Sequence, residues 1–443
     1  MQMNIEILNG LERKIIVKTP SEEINQAVEK RLNEVASTFK LPGFRPGKVP
    51  MHLLRQRFGD SIRYEVIEKV IESTYHEALS QEKLEPAGAP NIKVLQDKAG
   101  EPLEYEALFE VYPAITLNSL ASAEIEFLQV DVTQKDIDEM VLRLRRQKAK
   151  WEETDKPAKK GDRLTISFEG RQDGELFEGG SAKEVVLELG MGTTIPGFED
   201  GFIGHKTGDE IEIKVNFPQD YRALNLAGKP AEFKAMIHKV EVPELPTLDD
   251  EFAKEFGVKE GGVDTLHQKV SEQMQNEVKQ KIRAHMKGQV LEKLLELNAM
   301  DLPNVLVEQE LKDLQTQEQD YLQRIAKEQS KQPILQPRKA LSDLARRRVQ
   351  LGLLFRQLIK NHHITASREK VDQLIEEITA VYDEAASTVA QMYRENRHLY
   401  EQLQQRAIED QIIDLLISQA KQIEKIISYS ELTGLRTFEE DQL

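Results

Sequence analysis

The stretch GFRPGKVP, residues 43–50, is excluded from helix and strand by its own composition: two glycines and two prolines share eight positions. Gly43 and Gly47 admit turns that other residues resist, while Pro42, Pro46 and Pro50 stiffen the path between them. Phe44 therefore has no helical face to join, and either tucks into its own domain or anchors a partner. The chain carries a net charge of −17, yet between Lys40 and Arg63 six cations (Lys40, Arg45, Lys48, Arg55, Arg57 and Arg63) face one acid, Asp60. A ring flanked by fixed positive charge suits an anionic, partly apolar surface such as ribonucleoprotein. The plain alternative is a helix–helix connector whose Phe is buried. A phosphate-binding P-loop is excluded, because it needs Gly in place of Pro42 and Ser or Thr in place of Val49.

Outward from this loop, the 443 residues are 39% hydrophobic, 31% charged and 6% aromatic, which fits several domains and extended helices better than one thick core. The chain has no cysteine, which excludes disulfides and thiolate metal sites and suits a reducing cytoplasm. The opening MQMNIEILNGLERK has no basic segment followed by an apolar block, so no secretory signal is expected. No run of about eighteen apolar residues is present, so no membrane span is expected. The acidic whole argues against general affinity for free nucleic acid, though not against one local basic patch.

Residues 4–19 predict a hairpin turning at Asn9-Gly10. Ser21 is placed to cap a helix to about Phe39, with Ile24, Val28, Leu32 and Val35 on one face. A second helical region follows the loop, and two alternating strands, NIKVLQ and EYEALFEVY, close a first unit at 112. Residues 113–149 predict a strand and a charged helix, TQKDIDEMVLRLRRQKAKW, a connector with few core residues. From 150 to 245, short alternating strands with frequent glycine predict a small antiparallel sheet domain, followed by a proline-punctuated linker, EVPELPTLDDEF. Residues 246–443 form the last domain, helical from 264 nearly to the end: Asp264 caps a helix to about Leu297, Pro303 fits the first turn of the next, and KQPILQP breaks it. Helices resume over 338–361, from Ser367, and over 397–428.

GFRPGKVP resembles the ribosome-docking signature of the trigger factor family, and the resemblance covers the whole chain. It implies a multidomain α+β fold: an N-terminal αβ ribosome-binding domain, an FKBP-like antiparallel β domain with a short helix, and an elongated all-α C-terminal domain with arms. By this resemblance Phe44, Arg45 and Lys48 contact the ribosome on a loop shaped by Gly43, Pro46 and Gly47. Pro46 stands where members often carry another cation, which bears on docking strength.

The stretches DRLTISFEGRQDGELFEGG and GTTIPGFEDGFIGHKTGDEIEIKVNFPQDY are similar to FKBP-type prolyl isomerases. An aromatic-Glu-Gly turn is followed by Phe with an acid, Ile-Pro-Gly-aromatic-Glu, Pro-x-Asp-Tyr and a closing Glu-Phe strand. The similarity implies pocket roles for Phe168, Phe177, Glu178, Ile195, Phe198, Tyr221 and Phe233. Phe198 stands where many single-domain members have tryptophan, and Glu178 where many have aspartate. These aromatics would equally suit the plain core of a small β domain.

The helix of 264–297 carries Leu266, Val270, Met274, Val278, Ile282, Met286, Val290, Leu294 and Leu297 at near-helical spacing. The last carries Ile408, Ile412, Leu415, Leu416, Ala420, Ile423 and Ile427. Internal packing is the default for such stripes; the resemblance adds inner faces that bind unfolded chains. The Gln-rich stretches QTQEQDYLQRIAKEQSKQ and EQLQQRAIEDQ fit solvated faces or adaptable hydrogen bonding. Nine histidines include no HExxH, and no catalytic triad or nucleotide loop stands out, so no metal or cofactor is expected. The resemblance thus implies a cytoplasmic, ATP-independent chaperone whose partners are the large ribosomal subunit at the exit tunnel and nascent or unfolded polypeptides, with homodimerisation away from the ribosome left open. Two rivals remain: a prolyl isomerase with a helical dimerisation scaffold, and a ribosome- or RNA-binding regulator without clients.

Overall fold

The computed structural model describes residues 2–38, 50–172, 174–219, 221, 223, 226–328, 338–379 and 386–435. Gly43, Phe44, Arg45, Pro46, Gly47 and Lys48, and the KQPILQP break, lie outside the described residues. Two compact units are distinguished, one of residues 1–123 with 288–421 and one of residues 124–287 with 422–443.

In the first unit, β1 (Gln2–Ile7), β2 (Glu12–Thr19), α1 (Ser21–Thr38), α2 (Met51–Glu82), β3 (Asn91–Gln96) and β4 (Leu103–Glu110) follow in order. The strands form an antiparallel sheet in the order β1-β2-β4-β3, with Ile15 opposite Ala107 and Val17 opposite Tyr105. Period-two alternation puts Ile15, Val17, Leu103, Tyr105, Ala107 and Phe109 on one face. There they pack with Ile24 of α1 and Ile67, Ile71 and Tyr75 of α2. The hydroxyl of Tyr105, fully buried, lies 2.9 Å from Thr74 Oγ1. The α1 stripe meets α2 through Leu32, with Leu54, Ile62 and Val66 opposite. Ser21 is already helical, one position inside the expected cap.

The second unit opens with β5 (Glu124–Gln129), α3 (Gln134–Gln147) and β6 (Lys150–Glu153). The charged helix thus stops four residues before Trp151, which is a strand residue paired with Pro243. Nor is the connector short of core: Ile137 and Val141 are buried in a cluster with Leu266, Val270 and Met274. Arg146 of α3 is 8% exposed. Its guanidinium lies against Gly161, where a Cβ would come within 2.7 Å of it.

Next come β7 (Arg163–Gln172), β8 (Glu175–Glu188), β9 (Glu210–Asn216) and β10 (Pro230–Glu244). The antiparallel sheet runs β6-β10-β7-β8, with β9 alongside β10, and a 3-10 turn lies at Asp200–Phe202.

The expected linker is an element in its own right. Its first residues extend β10, and Asp249 caps α4 (Asp250–Glu255), accepting from the amides of Glu251 and Phe252. Phe252 is 4% exposed, a core residue. Helix α5 (Gly262–Leu297) begins before Asp264, which lies in its first turn. Its stripe is internal packing: Leu266, Val270, Met274, Val278, Met286, Val290 and Leu294 are all buried.

Helices α6 (Asn304–Glu328), α7 (Arg338–His362), α8 (Arg368–Thr379), α9 (Ala386–Glu395) and α10 (Arg397–Gln419) complete the first unit. The last expected helix ends early. Lys421–Ile426 is β11, hydrogen-bonded beside β5, and a short α11 (Tyr429–Thr433) follows. The C-terminal region is therefore mostly helical rather than all-α. Ile423, 43% exposed, belongs to a strand and not to the α10 stripe, whose buried members are Ile412 and Leu416.

One carboxylate joins distant parts of the first unit. Pro303, just before α6, has no side-chain oxygen with which to cap it. Glu110 of β4 substitutes, accepting from the Val305 amide at 2.8 Å and from Asn304 Nδ2 at 3.0 Å. Arg356 of α7 stacks over Tyr112 at 4.4 Å and pairs with Glu85 at 3.1 Å. Removing the cap in Glu110→Ala is expected to cost about 1–2 kcal/mol, read as a lower urea midpoint; an unchanged midpoint would show that water replaces the carboxylate without loss.

Candidate functional site

Within the small sheet domain, alternation along β7 turns Ile166 and Phe168 to the inner face, and β10 brings Phe233 opposite Gly170. The missing side chain at Gly170 is what admits the rings: a Cβ there would stand 2.6 Å from the Phe233 ring and 2.8 Å from that of Phe177. Phe233 then meets Phe168, Phe177 and Phe198 edge-on, with centroids 5.9, 5.9 and 5.0 Å away. Such tilted contacts suit the ring quadrupoles better than flat stacking.

These rings enclose a cavity of about 430 Å³. Phe198 and Phe233, 5% and 4% exposed, form a floor continuous with the core of the domain. Phe168, Phe177, Ile195 and Tyr221 are only partly buried and form the walls. Six of the seven residues expected at a pocket thus line one cavity. Glu178 belongs to β8, and its side chain lies outside the described residues. Phe198 and Phe233 belong to the core of the domain and to the cavity lining alike.

Sequence reasoning missed several lining residues. Phe217, 3% exposed, packs on Tyr221 at 4.5 Å; Val185 and Leu187 come from β8, and Thr193, Thr194 and Pro196 from the irregular segment after it. It also passed over Glu199, which stands in the Ile-Pro-Gly-aromatic-Glu run. Glu199 is 6% exposed and accepts hydrogen bonds from the amides of Gly190, Gly192 and Thr194 and from the Thr194 hydroxyl. Burial pushes its carboxyl up, but the donors of Gly192, Thr194 and Gly190 together outweigh burial and hold it below the usual carboxylate range. The stabilisation is therefore present at neutral pH and is lost as pH falls through the depressed folded-state value.

Among the described lining residues none carries a carboxylate, amine or imidazole. The polar groups the described lining does offer are the hydroxyls of Thr193, Thr194 and Tyr221. Such a wall can desolvate a bound group and present hydroxyls to it, which suits a reaction limited by amide resonance rather than by proton transfer.

The other candidate surfaces are documented more sparsely. Of the basic island, Arg55 pairs with Glu29 of α1, and Arg63 donates to the carbonyl of Asp97 at 2.6 Å. Part of the local excess of charge is thus met inside the domain by acids and carbonyls far away in sequence. In the first unit, a cavity of about 910 Å³ between α7 and α10 combines Phe355, Ile359, Ile408 and Ile412 with Arg356, Arg406, Gln402 and Gln405. The second Gln-rich stretch therefore contributes to a groove.

The close approach at Gly170 gives a direct check of the aromatic pocket. Gly170→Ala must displace two packed rings, and overpacking of this kind costs about 1–3 kcal/mol. Its urea midpoint should fall and its near-ultraviolet dichroism should change; wild-type values for both would mean that the rings have room to spare.

Residues 1–144 match the family described as bacterial trigger factor protein, residues 262–418 its C-terminus, and residues 154–243 FKBP-type peptidyl-prolyl cis-trans isomerase. The trigger factor of Colwellia psychrerythraea is 41% identical over 433 residues, covering 98% of this chain and 99% of its own. Those of Stutzerimonas stutzeri and Pseudoalteromonas atlantica are 40% and 39% identical, covering 97% and 98% of this chain and 98% and 99% of theirs. A solved trigger factor chaperone, 17% identical, covers 94% of this chain and 99% of its own with a TM-score of 0.48. The chain belongs to the trigger factor family, ribosome-associated chaperones that bind nascent chains and carry an FKBP-type prolyl isomerase domain.

Proposed function

We propose that the aromatic cavity is where this chain isomerises X–Pro bonds, with Phe198 and Phe233 as floor and Phe168, Phe177 and Ile195 as walls. Glu178 belongs to the same set through its place in the motif. The observation that carries the proposal is the convergence of six motif residues on one cavity whose described lining is mostly aromatic and aliphatic. Rotation about an X–Pro bond costs about 18–20 kcal/mol because resonance is lost midway. The twisted amide has less charge separation than the planar one, so an apolar, water-poor site favours it. Tyr221, at the wall, is the donor for the displaced carbonyl or the pyramidal nitrogen. One preorganised donor of this kind is worth about 3 kcal/mol, roughly a hundredfold in rate.

The functional division runs through residues 1–112 for docking, 113–149 as connector, 150–245 for isomerisation and 246–443 for holding clients. Docking at the large subunit beside the exit tunnel falls to Phe44, Arg45 and Lys48 on the loop shaped by Gly43, Pro46 and Gly47. The ring seats and the cations steer, so the contact weakens as salt rises. Unfolded segments rest in places such as the α7–α10 groove, where apolar floor and amide rim supply adaptable contacts. Release follows from weak binding and from folding of the client, without ATP. No described helix is long and apolar enough to cross a membrane, and the setting is the cytoplasm, where ribosomes and emerging chains are found.

Docking and isomerisation are separable on this account. Phe198→Ala should lower kcat/KM on a proline tetrapeptide by at least about tenfold while leaving co-sedimentation with ribosomes intact. Phe44→Ala with Arg45→Ala should do the reverse. Equal turnover in the first variant would remove the pocket assignment, and undiminished sedimentation in the second would remove the loop.

A further inference from the structure

We propose that Glu199 is a positioning residue for prolyl isomerisation: its carboxylate ties down the Gly190–Thr194 turn and so holds the rim of the cavity in its binding-competent shape. The inference rests on the pocket reading above and adds what fixes substrate affinity within it.

Between Glu188, the last residue of β8, and Asp200 the chain has neither helix nor strand. Yet this segment supplies Thr193, Thr194, Ile195 and Pro196 to the cavity. Something other than a sheet ladder must hold it. Gly190 and Gly192 adopt φ of +87° and +66°, left-handed values open to glycine at little cost. Their amides converge on Glu199, each 2.9 Å from Oε2. The Thr194 amide and hydroxyl reach Oε1 at 3.2 and 3.0 Å. Four donors on one buried carboxylate are charge-assisted bonds, roughly twice as strong as neutral ones. The other end of the segment is fixed because Glu199 directly follows the floor residue Phe198, whose amide bonds the carbonyl of Ile195 at 3.0 Å. One side chain thus links floor to rim.

Glu199 is not itself a wall residue, and its oxygens are engaged by the rim donors rather than by the cavity. It acts through the four residues it places. Those residues contact the planar and twisted forms of a bound peptide alike, so loosening them removes uniform binding. That raises KM while sparing kcat. A residue of purely structural importance gives the opposite pattern, in which the folded fraction falls, apparent kcat falls with it, and KM stays put.

The test measures KM and kcat separately for a Phe-Pro tetrapeptide on the full chain, comparing wild type, Glu199→Gln, Thr194→Val and the double variant, with circular dichroism to establish folding. Glu199→Gln should raise KM about tenfold with kcat within about twofold. Thr194→Val, which deletes one of the four bonds, should raise KM by less. The double variant should be less impaired than the product of the singles, because both act on one bond. Folded variants with wild-type KM, or with lowered kcat at wild-type KM, would overturn the proposal. If Glu199→Gln does not fold, Thr194→Val decides alone, and an unchanged KM rejects it. Absence of turnover in wild type would instead reject the pocket reading on which the proposal stands.

Discussion

The aromatic cavity depends on one steric allowance: two phenylalanine rings lie where the side chain of residue 170 would be. Gly170 permits it, and Phe177 and Phe233 close over its backbone. Phe233 can then touch Phe168, Phe177 and Phe198 together, and a single ring becomes the hub of both core and cavity. A larger residue at 170 would push the rings apart and disrupt the cavity they line. In the function proposed for the cavity, the chemistry stems from the same constraint, since a mostly apolar lining favours the twisted, less polar form of an X–Pro bond.

In each of the two units, particular polar groups are held by partners from elsewhere in the chain. Glu199 gathers three amides and a hydroxyl, Glu110 caps a helix that lies almost two hundred residues further along the chain, and Tyr105 shares its buried hydroxyl with Thr74. Each is a short-range bond placed where irregular backbone, a helix end or a buried hydroxyl would otherwise be left without a partner. This suits a chaperone. The groove between α7 and α10, proposed above to hold unfolded segments, can stay open because the surrounding frame is fixed from within.

The parts of the fold that could be seen in the sequence are those set by local pattern. Alternation gave β2 and β4, Asn9-Gly10 gave the first turn, and the near-helical stripe from Leu266 to Leu294 gave α5 and its buried face. The resemblance to FKBP-type isomerases, and not periodicity, singled out Phe168, Phe177, Ile195, Phe198, Tyr221 and Phe233, which all line one cavity. What stayed hidden was set by partners elsewhere in the chain. The stretch KQIEKI has isoleucines that extend a helical stripe, yet it is β11 because β5 offers it a hydrogen-bonding edge. Trp151 comes after a helix in sequence but is held in a strand by Pro243 of β10. Phe252 looks like a linker residue until α4 turns it inward. Arg55 counts as bare charge until Glu29 is seen beside it. Glu199 was visible as a letter of a motif, but its role needed the backbone of the turn it holds.

The most direct measurement is nuclear magnetic resonance of the full chain, selectively labelled at aromatic and isoleucine side chains, titrated with a Phe-Pro tetrapeptide while cis–trans exchange of that peptide is recorded. The account predicts that exchange accelerates while Phe168, Phe177, Ile195 and Tyr221 shift together in a single saturable process. Accelerated exchange with those four resonances unmoved would place the reaction elsewhere and contradict it.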